Sequence, residues 1–437
     1  MNTFSLIPLH YAGNMRPFYS RLKHLPGFVL LESSDALRGR YDIVSACPYQ
    51  RIEFEEHQDT NEFLSRLHEL LPQQLLPVDV PFQGGAIGYV SYDFGLRLED
   101  IPSMLKPVFA TPLLDFGLYD WAIITDHHLK QVFLFAAHRQ AETAHIIDEV
   151  LTLWEKNQSP SCEFYLERDF QPLVSKESYK KAFDSIHENI RKGRSYQVNY
   201  TQPFTTSFRG DSWVMYDQVC SRNPVPFSAY LKMDKFNILS FSPERYLLMN
   251  KGDLLTSPIK GTVKRSDSKN EDEFLKEQLQ QCPKNRAENV MIVDLLRNDL
   301  GKIAEPGSVH VSSLCEVQSF NGVHHLVSDI RAQCLPSIHA IQAFMSCFPS
   351  GSITGAPKHE AMRIINEEEQ YARGIYCGSV VYFSAHGRFD SSVAIRTVTE
   401  KDKMLSLSTG GGIVIDSDWL SEYFEGFTKI SAIIHGL

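Results

Sequence analysis

The sequence predicts an α+β protein with antiparallel or mixed strands, and three observations predict it. Apolar runs of strand length adjoin one another instead of alternating regularly with helices, which disfavours a uniformly parallel sheet with crossover helices. Longer segments with apolar residues three and four apart intervene at irregular intervals. The chain has 437 residues and is 43% hydrophobic, enough for a sizeable core in two or three ordinary domains or one large layered body.

From the amino terminus to residue 160, short apolar runs such as Gly27 to Leu31 and Val132 to Ala136 are punctuated by turn residues, and a helical stretch from Ala141 to Lys156 closes the region. Residues 1–160 therefore read as a strand-rich subdomain. The polar, proline-containing segment Asn157 to Cys162 marks a junction. Over residues 161–437 the spacing predicts helices at 176–192, 270–281, 286–298, 338–347, 357–368 and 419–434. Strands are predicted at Phe236 to Phe241, Arg245 to Met249, Gly378 to Phe383 and Ser392 to Thr399. No repeat of fixed period occurs.

Lys and Arg number 43 against 53 Asp and Glu, and the net charge of -10 offers no footprint for nucleic acid or an anionic membrane surface. No apolar stretch approaches the ~20 residues needed to span a bilayer, and the amino terminus lacks a leader pattern, so a cytoplasmic location is expected. The eight cysteines form no C-x-x-C pair, which disfavours zinc and redox dithiols and points to reduced core residues. His324 and His325 are adjacent and cannot form a helical i, i+4 metal pair.

Several motifs carry possible chemistry. In Ser257 to Thr262 (SPIKGT), Lys260 sits at a bend between Ile259 and Gly261. Burial there would lower its pKa and free a nucleophilic amine, although an ordinary loop lysine reads the same way. Glu288 opens the apolar helical run Arg286 to Leu300, where it could simply favour the helix dipole. Glu422, Glu425 and Lys429 share one helical face at i, i+3 and i+7, as catalytic groups or as a surface salt-bridge stripe. Magnesium is usually held by one or two carboxylates plus substrate oxygens, so Glu288 and Glu425 could supply a site between two helices. Gly351 to Lys358 superficially looks like a phosphate loop but lacks the spacing, and its proline would disrupt the helix start. Gly410, Gly411 and Gly412 follow a strand and precede the carboxylate helix, allowing backbone N–H groups close approach to an anion. Arg396 lies in an otherwise apolar strand and needs a partner, either a substrate carboxylate or Asp390.

Taken together and in order, these motifs resemble the chorismate-binding family, which includes the anthranilate synthase large subunit, aminodeoxychorismate synthase component I, isochorismate synthases and salicylate synthases. The resemblance runs from about Ser175 to the carboxyl terminus and includes Tyr196 to Asn199, Ser242 to Glu244, Pro258 to Thr262, Ala287 to Asn289, His325 to Ser328, Gly355 to Lys358, Arg373 to Gly378 and Ala394 to Thr397. It implies two packed antiparallel sheets with helices outside, an anthranilate synthase component I-like body in which residues 1–160 and 161–437 share one core. It further implies Glu288 and Glu425 as magnesium ligands, with Glu422 close by. By the same resemblance Ser352, Tyr376, Arg396, Lys429 and the backbone of Gly410 to Gly412 hold the chorismate carboxylates, and Lys260, Thr262 and His325 form the catalytic group. His325 matches the family histidine near the leaving hydroxyl.

Lys260 and Gln197 decide the branch. Anthranilate, isochorismate and salicylate enzymes typically have alanine where Lys260 stands, and water-activating branches have a lysine where this chain has Gln197. The resemblance thus implies the branch that makes 4-amino-4-deoxychorismate for 4-aminobenzoate and folate biosynthesis. More loosely, Ser33 and Tyr41, with Asn223, Pro224 and Phe227 opposite, match a region where some relatives hold tryptophan. No cysteine lies in a Gly-x-Cys-x-Gly setting, so ammonia is expected from a separate glutamine amidotransferase subunit. The competing readings are anthranilate synthase component I and a non-catalytic metabolite-binding protein.

Overall fold

The computed structural model describes residues 4–35, 39–54, 57–156, 162–320 and 322–434. Most of the junction segment, residues 157–161, lies outside the described residues. The strands form two sheets, of thirteen and ten strands among the described residues, and every ladder within them is antiparallel. The predicted fold class holds.

In both sheets a block of strands from early in the chain joins a block from late in the chain at one seam. In the larger one Val29–Glu32 pairs with Phe227–Lys232, and Met404–Ile413 pairs with Gln197–Gly210 along ten residues. In the smaller one Gly85–Val90 pairs with Ser379–Ser384. Side chains from the facing sides meet in one apolar layer, with Val29, Ile43 and Leu231 from one sheet against Ile87, Tyr89 and Val380 from the other. Because successive side chains point to opposite faces, a one-residue slip would exchange this layer for the outer one, and that fixes register. Helices cover the outer faces. Thr143–Trp154 and Ser212–Arg222 bury Ile147, Val150, Met215 and Val219 on the larger sheet, whereas Pro283–Gly301 and Ala340–Cys347 bury Ile292, Leu296 and Phe344 on the smaller.

Three local expectations change. The strand predicted from Ser392 to Thr399 is two strands, Phe389–Val393 in the smaller sheet and Thr397–Lys401 in the larger. The chain crosses between sheets at Ala394 to Arg396, and Arg396 adopts a left-handed φ of 51°. Gly410, Gly411 and Gly412 do not follow a strand but lie inside Met404–Ile413, opposite Thr201, Tyr200 and Asn199. The helix carrying Glu288 starts at Pro283, so Glu288 stands beyond its first turn, which holds no acidic residue. A dipole contribution decays over that distance. Of the eight cysteines, all free, Cys220, Cys315, Cys334, Cys347 and Cys377 are buried.

Candidate active site

Lys260 lies on the short strand Ile259–Lys264, which pairs with Val323–Gln333 across a register shift between Ile259 and Thr262. Gly261 has φ +82°, and a side chain there would meet Asn285 at 3.0 Å, so glycine is required for the strand to turn beneath the helix Pro283–Gly301. The turn aims Lys260 inward, where its Nζ donates to the Ser352 carbonyl at 2.9 Å. Burial lowers the Lys260 pKa, opposed by Glu244, Glu288 and Glu425 and reinforced by Lys429. Residues from four separate elements thus act on one amine.

Glu244 is buried, and burial pushes its carboxyl up to about 7 against the opposing pull of Ser352 and Lys260. A lysine shifted down beside a carboxyl shifted up is a pair whose proton affinities have been drawn towards each other, which eases transfer between them. Ser242 to Glu244 is among the motifs of the resemblance, but no role for Glu244 follows from it. Nothing local distinguishes it from any glutamate ending an apolar strand.

Across the ladder, Thr262 stands opposite His325, and its Oγ1 lies 2.7 Å from His325 Nδ1. The Phe320 ring meets the same imidazole edge-on at 4.8 Å between centroids. His325 is buried with its ring fixed, while its neighbour His324 points oppositely, to Asp272 at 3.0 Å and Ser319 at 2.8 Å. Strand alternation explains why adjacent histidines face different surroundings.

Ser352 sits in the short turn Gly351–Ile353, its hydroxyl 3.0 Å from that of Ser350. Arg373 anchors this turn by donating to the Ile353 carbonyl at 2.9 Å and to the Asn199 carbonyl at 2.6 Å, while paired with buried Glu369 at 2.7 Å. Tyr376 follows three residues later. Cys377 N donates to the Ala394 carbonyl at 2.9 Å, which ties Tyr376 to the crossing segment that bears Arg396. Asp390 pairs with Arg245 at 3.0 Å, not with Arg396. Among the described residues no carboxylate answers the Arg396 guanidinium, and burial alone lowers its pKa. Such a group calls for an anionic partner.

The helix Trp419–Ile434 packs on Met404–Ile413. Glu425 pairs with Lys429 at 2.8 Å, and Lys429 also donates to the Gly410 carbonyl at 2.7 Å. That pair is partly exposed, so the stripe reading is realised for these two residues. Glu422 departs from it: half-buried, with its pKa raised by burial, it accepts from Ser417 at 2.8 Å. The glycines make room for these groups. A side chain at Gly411 would meet Glu422 Oε2 at 2.9 Å, and one at Gly412 would meet Gln197 Nε2 at 2.0 Å. Glu288 makes no hydrogen bond or ion pair among the described residues. No group of three or more His, Cys, Asp or Glu gathers there in a metal-holding arrangement.

Lys358 is not a phosphate ligand. It begins the helix Lys358–Glu368, with Pro357 at the N-cap, and is buried in an ion pair with Asp299 while donating to the Cys347 carbonyl at 2.9 Å. Ser33, Tyr41 and Phe227 line a cavity of about 640 Å³ between the sheets, separate from Lys260 Nζ but reaching Ile259 and Phe320. Asn223 caps the helix Ser212–Arg222 at the surface, and neither it nor Pro224 lines that cavity.

A layered body of this architecture, with an inward lysine, convergent carboxylates and an unanswered arginine, defines a class of enzyme acting on a small anionic substrate. The chain belongs to the chorismate binding enzyme family, which matches residues 27–435 and so takes in most of the strand-rich amino-terminal region as well as the motifs after Ser175. It is 39% identical over 459 residues to aminodeoxychorismate synthase component 1 of Escherichia coli (strain K12), covering 100% of both chains. It is 32% identical over 446 residues to anthranilate synthase component 1 of Lactococcus lactis, covering 97% of each. Its fold is similar to that of anthranilate synthase component I from Streptococcus pneumoniae, with a TM-score of 0.83, 29% identity and coverage of 91% and 92%. No helix among the described residues is long and apolar enough to cross a membrane.

Proposed function

We propose that the chain converts chorismate and ammonia to 4-amino-4-deoxychorismate, with Lys260 as a covalent nucleophile. The observation that carries this reading is the amine of Lys260, depressed in pKa by burial and set beside the Glu244 carboxyl. Glu244 takes a proton from Lys260, and the neutral amine attacks C2 of chorismate. The ring double bond shifts, and the C4 hydroxyl leaves with that proton as water, on the side where the resemblance puts His325. Ammonia then bonds to C4, the ring double bond shifts back as the C2–N bond breaks, and the released Lys260 amine takes the proton shed by the new C4 ammonium. Arg396 and Tyr376 hold a substrate carboxylate, and the Arg373–Glu369 pair keeps the Ser352 turn in place.

Glu288, with no hydrogen bond or ion pair among the described residues, and Glu422 and Glu425 beside the space left by Gly411, suit an ion that takes one or two protein carboxylates. When bound, the ion supplies charge stabilisation and orientation at a substrate carboxylate. Ammonia comes from a separate glutamine amidotransferase subunit, in the cytoplasm, and the cavity lined by Ser33, Tyr41 and Phe227 is the place for a tryptophan-sized ligand. Incubation of the purified chain with chorismate, magnesium and an ammonium salt tests the reading. A product that keeps its enolpyruvyl group supports it. Anthranilate with pyruvate moves the chain to the anthranilate branch, and absence of magnesium-dependent turnover favours a non-catalytic binding protein.

A further inference from the structure

The helix Pro283–Gly301 buries no side chain before Asn289, so the segment that presents Glu288 lacks apolar anchorage of its own. Asn289 is fully buried and polar, an expensive choice unless its amide is answered. Its Oδ1 accepts from the Ser328 hydroxyl at 2.5 Å and from the Cys315 thiol at 3.5 Å, and its Nδ2 reaches the Leu326 carbonyl at 3.5 Å. Ser328 is equally buried and makes two further bonds. Its hydroxyl accepts from Cys315 N at 2.8 Å, and its own N–H donates to the Pro258 carbonyl at 3.3 Å, two residues before Lys260.

Cys315 reaches this point because its strand bulges. The register against Val323–Gln333 shifts between Ser313 and Glu316, and Cys315 takes a left-handed φ of 54° that turns both its N–H and its thiol inward. A bulge that re-aims a side chain beside a site is a recognised use of the device. Three site elements therefore meet at one pair of side chains: the helix of Glu288, the strand of His325 and the approach to Lys260.

We propose that the Asn289–Ser328 pair is a positioning node that fixes Glu288 relative to Lys260, touching neither substrate nor ion itself. The proposal rests on the functional reading above, which makes Glu288 a magnesium ligand. Partners that orient a metal ligand are typically worth 10–100-fold in metal affinity or activity. Asn289→Ala and Ser328→Ala are each expected to raise the magnesium concentration for half-maximal turnover by about tenfold or more, with the ammonium requirement unchanged. Ser328→Thr, which keeps the hydroxyl, is expected to recover most of the loss.

The test compares the parent chain and these variants by magnesium titration of chorismate turnover and, independently of turnover, by Mn²⁺ binding in the presence of chorismate followed by electron paramagnetic resonance. Variants are first checked for a cooperative melt, and Ser328→Ala, the smaller change, decides if Asn289→Ala does not fold. Weaker ion binding in Ser328→Ala with recovery in Ser328→Thr supports the node. A parent that turns over chorismate alongside folded variants with unchanged ion affinity overturns the node and leaves the functional reading standing. A parent that neither binds Mn²⁺ nor turns over chorismate overturns both.

Discussion

At the residue scale the account turns on charges that burial has displaced from their ordinary pKa. The folded state holds the Glu244 proton more tightly than the unfolded chain does, so ionising it between its ordinary value of 4.5 and about 7 removes about 3 kcal/mol of stability. Glu244→Gln is therefore expected to be more stable than the parent at pH 8 and no more stable at pH 4, as read by chemical denaturation. The same variant should lose on the order of 10²–10⁴ in kcat, because the proton partner of Lys260 is gone. Glu244 also raises the Lys260 pKa, so the acidic limb of kcat/KM moves to lower pH in the variant. Arg396→Ala removes a charged partner worth about 2 kcal/mol, which predicts a rise in the chorismate KM of roughly 30-fold with the fold intact. Lys260 was legible as a lysine at a proline–glycine bend. The need of Arg396 for an anion was legible as well, but its place at a crossing between sheets was not, because Val393, Ala394 and Ile395 read as one continuous strand. Glu244 was hidden because its displacement arises from burial by residues distant in sequence.

At the scale of elements, the glycine strand separates two kinds of constraint. A side chain at Gly410 would lie 2.0 Å from the Tyr200 carbonyl, whereas one at Gly411 would meet the movable end of Glu422 at 2.9 Å. Gly410→Ala should accordingly break the pairing with Gln197–Gly210 and lower Tm sharply, while Gly411→Ala should fold and lose magnesium response. Equal melting of the two variants would contradict this division. The helices over 176–192 and 419–434 were legible from periodicity because each lays one apolar face on its neighbours, whereas the helix over 270–281 was legible although it buries little beyond Leu279. The helices Thr60–Leu70, Tyr92–Leu98 and Ser212–Arg222 were missed. Tyr92–Leu98 spans only seven residues, with Tyr92, Phe94, Gly95 and Leu96 buried, which is too short for a helical period to show.

At the scale of the whole molecule, both sheets are built from strands on either side of residue 160. Removing residues 1–160 would strip Phe227–Lys232 of its neighbour Val29–Glu32 and Ser379–Ser384 of its neighbour Gly85–Val90. Exposed edges and an uncovered apolar layer make aggregation of the fragment 161–437 the expected outcome, and a soluble fragment with a cooperative melt would show otherwise. No single segment of sequence reveals these seams, because the partners across them lie some two hundred to three hundred residues apart. The central claim, covalent catalysis by Lys260, is tested most directly by intact-protein mass spectrometry after incubation with chorismate and magnesium without ammonia. The expected species is a chain heavier by chorismate less one water, with the addition mapping to Lys260, absent in Lys260→Ala and discharged by an ammonium salt. Full turnover to 4-amino-4-deoxychorismate by Lys260→Ala at the parental rate, with no adduct on the parent chain, would contradict it.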